Sequence, residues 1–381
     1  MHVLMVRNVS EERNLSMKLY ADRLTSGLAN RCQVENVYPW NPPYINRAGS
    51  GVIDKGLNYA ARFGVHPVSL LNRRADVFHI VDHGNAHLLS CLPSRRTVVT
   101  CHDIMLLKLA KGEFGQHLSE PRWASKLLKL SLHFLKSAAF VLADSQATAD
   151  DLIKHAGLSS DQIRVVLLGI DPRFGTPPNA ATRAEALARW NLDGQTALLH
   201  VGNNWFYKNL EELIRALAIL RFEGIANDPI LLKAGKKLTS AQRALAESLG
   251  VTDRIREVGV LDADELQSIY WASDALVFPS LWEGFGWPPL EAMASGTPVV
   301  CSDRGSLSEV VGDAALIVNP ESPEEIAEGV VKVLQSNEVR QSLIRKGLER
   351  VKMFTWERAA EQTFQVYQEV MNSSVKSLKA I

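Results

Sequence analysis

The sequence is poor in cysteine, with Cys32, Cys91, Cys101 and Cys301 the only four in 381 residues. No two of them stand in a C-x-x-C spacing, so they read as reduced, mostly structural thiols and not as a disulfide framework. Long apolar runs are missing too. The longest, such as Ala138–Ala143, fall far short of the ~20 residues that cross a bilayer. Met1 to Val6 is a short apolar run broken by Arg7. It lacks the basic stretch, long apolar core and cleavage site of a signal peptide, and a cytoplasmic protein is expected. No G-x-G-x-x-G follows the first candidate strand, which argues against a nicotinamide or flavin enzyme. AGKKLTS at 234–240 has a Gly-Lys pair but neither the spaced upstream glycine nor the Lys-Ser/Thr pair of a P-loop, so an ATPase signature is rejected. There is no excess of either charge: Lys+Arg and Asp+Glu each number 42, and no nucleic-acid partner is expected.

What is present is an ordinary soluble composition, 46% hydrophobic and 22% charged, in a chain long enough for two domains. Short apolar runs alternate with helical periodicity. His2–Val6, Val77–Val81, Thr97–Cys101, Phe140–Ala143 and Val165–Leu168 read as strands, with helices such as Ser16–Ala29 and a Ser-capped Ser145–Ala156 between them. GIDPRFGTPPNAATRAEALARW holds three prolines and reads as a linker, after which the pattern restarts. Strands at 197–201, 230–234, 255–258, 275–278 and 299–302 alternate with helices, and helices at 323–335, 337–351 and 355–371 follow. Two doubly wound α/β domains facing across a cleft are the predicted architecture.

Charge is uneven along the chain. Residues 1–170 carry 20 Lys+Arg against 14 Asp+Glu, and the remainder 22 against 28. That asymmetry fits contact with an anionic surface or acceptor, and equally a charge scattered over a large face. In PRWASKLLKLSLHFLKSAAF, Arg122, Lys126, Lys129, His133 and Lys136 recur at helical steps opposite a Leu-rich face. This is the pattern of a helix on anionic lipid, and also of a core-facing helix with a basic solvent side.

Four motifs carry chemistry. SLWEGFGWPPLEAMASGTPVVCSD, residues 280–303, places Glu283 on a loop beside Gly284, Phe285 and Gly286. Pro288 and Pro289 then open a helix, read as Leu290–Ser295, with Glu291 in its first turn. Glycines that admit a ligand to the backbone and a helix N-terminus behind them suit something both hydroxylated and phosphorylated. HVGNNWFYKNLEELIRAL, residues 200–217, ends a strand at Val201, puts Gly202 at its tip and Lys208 just before a helix. That geometry suits a diphosphate, although a solvated lysine is its plain alternative. His102-Asp103 follows the strand Thr97–Cys101, at the sheet edge where active sites gather, and could position or protonate a substrate oxygen or simply bond within its loop. His79, His83 and His87 stand at four-residue steps. Gly84 and the strand at His79 break that helical spacing, so no metal site is expected.

With these motifs in view, the chain resembles the retaining glycosyltransferases of family 4, which have the GT-B fold. The likeness runs through VVTCHDIM, FVLADSQATADDLI, VVLLGIDPRF, VGNNWFYKNLEELIRAL, GVLDADELQSIYWASDALVFPSLWEGFGWPPLEAMASGTPVV and FTWERAAEQTFQVY. The two glutamates with seven residues between them are its most specific part. The resemblance implies an acceptor-binding Rossmann-like domain at 1–172 and a nucleotide-sugar-binding one at 173–354, with a helix at 355–381 crossing back to the first. It implies that Glu283 and the Gly284-Phe285-Gly286 backbone face the donor sugar and phosphates, and that Glu291 holds the ribose. Lys208, with Gly202 and Asn203, would meet the diphosphate in place of a metal ion, and His102 would lie near the donor sugar. Asn14, Ser16, His83 and Asp103 fall on the acceptor side. The chain departs from the family pattern at Asn203 and Tyr207, where arginine is frequent. Lys208 then carries the charge alone or with Lys233 or Lys236. It departs again in RNVSEERNLSMKLY, where the family has a Gly-Gly-rich loop.

The expectation is therefore a metal-independent, cofactor-free, retaining hexosyltransferase. It would move a hexose from a nucleotide sugar, GDP-mannose before a UDP-hexose, to a hydroxyl of a glycan or lipid-linked acceptor. Peripheral contact with the inner face of the membrane goes with the basic N-terminal domain. A non-catalytic nucleotide-sugar-binding protein is the alternative from another class.

Overall fold

A computed structural model describes residues 1–8, 15–39, 61–115, 130–222 and 228–379. The chain divides into two compact units, Met1–Gly169 together with Trp356–Ile381, and Ile170–Thr355.

The first unit is built on six parallel strands: β1 (His2–Val6), β2 (Gln33–Val37), β3 (Val77–Ile80), β4 (Thr97–Cys101), β5 (Phe140–Ala143) and β6 (Ile163–Val165), in the order β2-β1-β3-β4-β5-β6. All four residues of β3 and all five of β4 are buried, as strands covered on both faces must be. β2 escapes the apolar-run rule because QVENV is an edge strand with only Val37 buried. β6 pairs at 163–165, two residues before the apolar run that predicts it, because its register is set against Val141–Ala143. Ser145 accepts from the Thr148 N–H at 3.1 Å, the expected cap.

The helix Trp356–Lys379 belongs to this unit. Gly27, on the helix Leu15–Leu28, lets it close in: a Cβ at 27 would stand 2.7 Å from the Ala360 Cβ. Tyr367 reaches His79 Nδ1 at 2.6 Å, while His79 Nε2 meets the Thr100 hydroxyl at 2.7 Å. Arg31–Glu361 and Arg164–Glu369 pairs flank that buried link.

The second unit also has six parallel strands: β7 (Ala197–Gly202), β8 (Ile230–Gly235), β9 (Ile255–Gly259), β10 (Ala275–Phe278), β11 (Val299–Cys301) and β12 (Leu316–Ile317). Their order, β12-β11-β10-β7-β8-β9, reverses at β7, which lies between β10 and β8. In an open α/β sheet such a reversal leaves a crevice at the carboxyl ends of the strands. The core beneath it is made by Leu198, Leu231, Val277 and Val300 with the helices Leu210–Phe222 and Pro323–Gln335.

Candidate functional site

Strand β7 delivers the first pieces of the site. It ends at Gly202, where a Cβ would lie 3.6 Å from Lys208 Cδ and Cε. Residues Phe206–Lys208 form one 3-10 turn, and Asn209 follows in the left-handed region at φ 58°. Asn209 is buried and its Nδ2 donates to the carbonyls of Pro279 and Pro320, which ties the turn to two neighbouring loops. Lys208 is thereby held with its ammonium 2.6 Å from Glu283 Oε1, both side chains largely buried. The same ammonium lies 5.1 Å from the centre of the Phe278 ring and 5.5 Å from that of Tyr207, close enough for both faces to attract it.

Glu283 is presented by the loop that follows β10. Its carbonyl accepts from the Ser306 N–H at 3.0 Å, and the Ser306 hydroxyl lies 2.7 Å from the Phe285 carbonyl. Gly305, at φ +64°, makes that support feasible, since a Cβ there would come within 2.4 Å of the Glu283 oxygen.

The next helix runs Trp287–Ala294, three residues earlier than the sequence predicts. Pro288 and Pro289 sit inside its first turn, where their fixed φ is already helical and their missing N–H costs nothing. Glu291 consequently lies in the second turn, not the first. It is half-buried, and its Oε2 accepts from the Tyr270 hydroxyl at 2.9 Å. Burial pushes the Glu291 carboxyl up to about 7. The Tyr270 hydrogen bond pulls the other way, and the Asp171 carboxylate adds to the rise. In the second unit, then, the structure brings Gly202, Lys208 and Glu283 together at the sheet reversal. Asn203 accepts from the Trp205 N–H at 3.0 Å, within the same loop. Lys233 does not face outward with Lys208. It is fully buried, donating to the Gly202 and Ala234 carbonyls at 2.6 and 2.9 Å.

In the first unit, His102 leaves the end of β4 and turns inward. Its Nδ1 lies 2.5 Å from Asp144 Oδ2, its Nε2 2.9 Å from the Val81 carbonyl, and the Tyr20 ring meets it edge-on at 4.8 Å. Burial alone would lower the His102 pKa. The Asp144 charge and hydrogen bond, Asp82 and the Val81 carbonyl outweigh it and lift the imidazole to about 9. Both ring nitrogens are thus engaged, one with the Asp144 carboxylate and one with the Val81 carbonyl, and the charged form is favoured. With both nitrogens bonded within the unit, the setting of His102 fits the locally bonded alternative as well as a positioning role.

Asp103 Oδ1 accepts from the Met105 N–H at 3.0 Å. His83 Nδ1 stands 3.5 Å from Asp82 Oδ1, and Asp82 also accepts from Asn8 Nδ2 and the Gly84 N–H. Ser16 is exposed at the start of its helix. Asn14, Arg122, Lys126 and Lys129 lie outside the described residues. Among the described residues no helix is long and apolar enough to cross a membrane.

Sequence reasoning missed Asp144, Tyr270, Asn209 and Ser306. Asp144 had a readable signal, because it is the first residue past a parallel strand, as His102 is. The other three act across 21 to 111 positions of chain, with no local pattern to announce them.

Comparison with known proteins places these two units. Residues 183–350 match the family model of glycosyl transferases group 1, and residues 17–174 that of glycosyltransferase family 4. O-antigen chain mannosyltransferase B of Escherichia coli is 30% identical over 280 residues, 72% of this chain and 71% of that protein. MMP alpha-(1->4)-mannosyltransferase of Mycolicibacterium hassiacum is 31% identical over 61% of this chain and 54% of its own length. Among solved structures, sucrose-phosphate synthase of Thermosynechococcus elongatus covers 98% of the chain with a TM-score of 0.77 at 20% identity, a likeness of fold.

Proposed function

This chain belongs to the GT-B glycosyltransferases, and we propose that it is a retaining, metal-independent mannosyltransferase that uses GDP-mannose and a hydroxyl of a glycan or lipid-linked acceptor. The observation that carries the reading is the Lys208–Glu283 pair at the sheet reversal of the second unit, with Glu291 on the adjoining helix. The mannose donor is supported by two relatives named as mannosyltransferases.

In this reading the second unit takes the donor and the first the acceptor. Lys208 donates to the diphosphate, whose negative charge grows as the sugar departs, so the interaction strengthens toward the transition state. Glu291, as a carboxylate, accepts from the two ribose hydroxyls. Glu283 orients the Lys208 ammonium and offers its remaining oxygen to the sugar. His102 stays charged and stationary, serving turnover as a fixed positive charge and not as a base. With Asp144 held by His102, and Asp82 by Asn8 and Gly84, neither carboxylate is presented as a double-displacement nucleophile. In this reading the acceptor oxygen attacks on the face the diphosphate leaves. The anomeric carbon–phosphate oxygen bond breaks, the new glycosidic bond forms, and the departing phosphate oxygen takes the acceptor proton.

The test is a panel of GDP- and UDP-hexoses with a lipid-linked acceptor extract, product anomers being assigned by NMR. An α-linked mannose from GDP-mannose, formed in the presence of EDTA, is the expected product. A β-linked product, or turnover that needs a divalent cation, overturns the mechanism.

A further inference from the structure

Lys233 is a fully buried ammonium that, among the described residues, has no carboxylate in contact and donates to two carbonyls, an arrangement that stability alone does not favour over an apolar side chain. We propose that Lys233 is a second cation of the diphosphate site, a positioning residue that acts from beneath Gly202 without touching the ligand. The inference rests on the donor-site reading above.

Its geometry begins with two strand ends pressed together. Gly235 adopts φ +105°, and a Cβ there would lie 2.1 Å from the Gly202 oxygen, so β8 approaches β7 this closely only because residue 235 is glycine. The Gly202 carbonyl is turned onto the Lys233 ammonium at 2.6 Å. In a trans peptide the carbonyl and the following N–H point in opposite directions, so the Asn203 N–H is aimed away from Lys233. A charge on the carbonyl side also polarises that amide and makes its N–H a better donor to an anion.

Burial lowers the Lys233 pKa to about 8. Glu257 on β9 is the carboxylate that opposes this fall, and Lys208 adds to it. His200, buried on β7 one position before Val201, is held neutral: burial, then Lys233 and Lys208, lower it to about 3. Its Nδ1 lies 3.2 Å from the Val277 carbonyl, and its Nε2 has no hydrogen-bond partner among the described residues. Two lysines thus flank Gly202, Lys208 against its Cα and Lys233 against its carbonyl.

The experiment is calorimetric titration of guanosine, GMP and GDP, with the uridine series alongside, into wild type, Lys233→Met and Lys233→Gln. Glutamine keeps an N–H donor for the carbonyls but removes the charge. Both variants are expected to bind the nucleoside within about twofold of wild type and to lose roughly five- to tenfold on the diphosphate, as one screened charge at several ångströms implies. If all three ligands weaken equally, or if Lys233→Gln regains wild-type affinity for the diphosphate, Lys233 is only a prop for the strand and the proposal falls. Should the Met variant fail to fold, the Gln variant carries the same comparison. A wild type that gains nothing between nucleoside and diphosphate refutes the donor-site reading itself, and is recognisable because it needs no variant.

Discussion

Lowering the pH from 7.5 to 6 should weaken donor binding by titrating a single carboxyl. In the proposed reading Glu291 must be ionised to accept from both ribose hydroxyls, yet burial and Asp171 hold it up to about 7 in the unliganded protein. At pH 6 only about one Glu291 in eleven is charged, against about three in four at pH 7.5, so the dissociation constant rises about eightfold, or ~1.3 kcal/mol. The assay is titration with the intact nucleotide sugar, whose phosphates have no ionisation near neutrality. The window stays below the Lys233 transition at about 8 and the His102 transition at about 9. Tyr270→Phe removes the bond that favours the charged form, and should move the pH profile upward. Glu291→Gln should flatten it. Linkage to folding gives an independent check with a definite sign. Since the folded pKa is raised, Glu291 favours the native state fully below its ordinary value of 4.5, and that contribution is lost as pH rises through 7. Ligand-free Glu291→Gln should therefore be more stable than wild type at pH 8, by about 2–3 kcal/mol, with no gain near pH 4. A donor affinity that is level between pH 6 and 7.5 in wild type would refute the ribose assignment.

Lys208→Ala should raise the donor KM and lower kcat together, while wild-type turnover survives EDTA; a metal requirement restored by Mg²⁺ or Mn²⁺ would contradict it. His102→Ala should leave nucleoside diphosphate affinity nearly intact and cut kcat by roughly 10²–10³-fold, as loss of a fixed charge at the reacting centre implies, and a near wild-type kcat would remove His102 from the active site. Asp144→Asn takes away the charge that offsets burial, so the His102 imidazole should titrate below its ordinary value, as its NMR shifts would report. Gly305→Ala places a methyl against the Glu283 backbone at a left-handed φ, and should cost about 1–3 kcal/mol of stability in denaturant melts.

The two sheets were legible because a buried parallel strand announces itself as a short apolar run. β4 and β10 start and stop where TVVTC and ALVF do. β2 and β12 were not, since an edge strand with polar residues and a two-residue strand lack that signal. The site divides in the same way. Lys208 and Glu283 were readable as types at strand ends, but their 2.6 Å pairing joins positions 75 apart, and only the order of β10 beside β7 creates it. Lys233 and Lys236 stand as equal candidates to join Lys208, because sequence reports a lysine and not its burial. For His102 the sequence leaves positioning, protonation and local bonding all open, because Asp144 lies 42 residues away. In each case the residue type is visible in the sequence and the partner that holds it is not.

The interruption of the first unit by the second has a consequence for synthesis. A ribosome making this chain finishes β1 to β6 and then adds 186 residues, 170 through 355, before the helix that completes that sheet exists. At ordinary elongation rates the delay is about 10–40 s. Throughout it the apolar positions that Ala359, Ala360, Val366 and Val370 later cover stay open, and His79 lacks its Tyr367 partner. The second unit, contiguous in sequence, can close on itself meanwhile. The part of the molecule that is translated first is therefore the last to be finished. Nascent chains stalled before residue 356 should expose the first unit to proteases and leave the second one resistant.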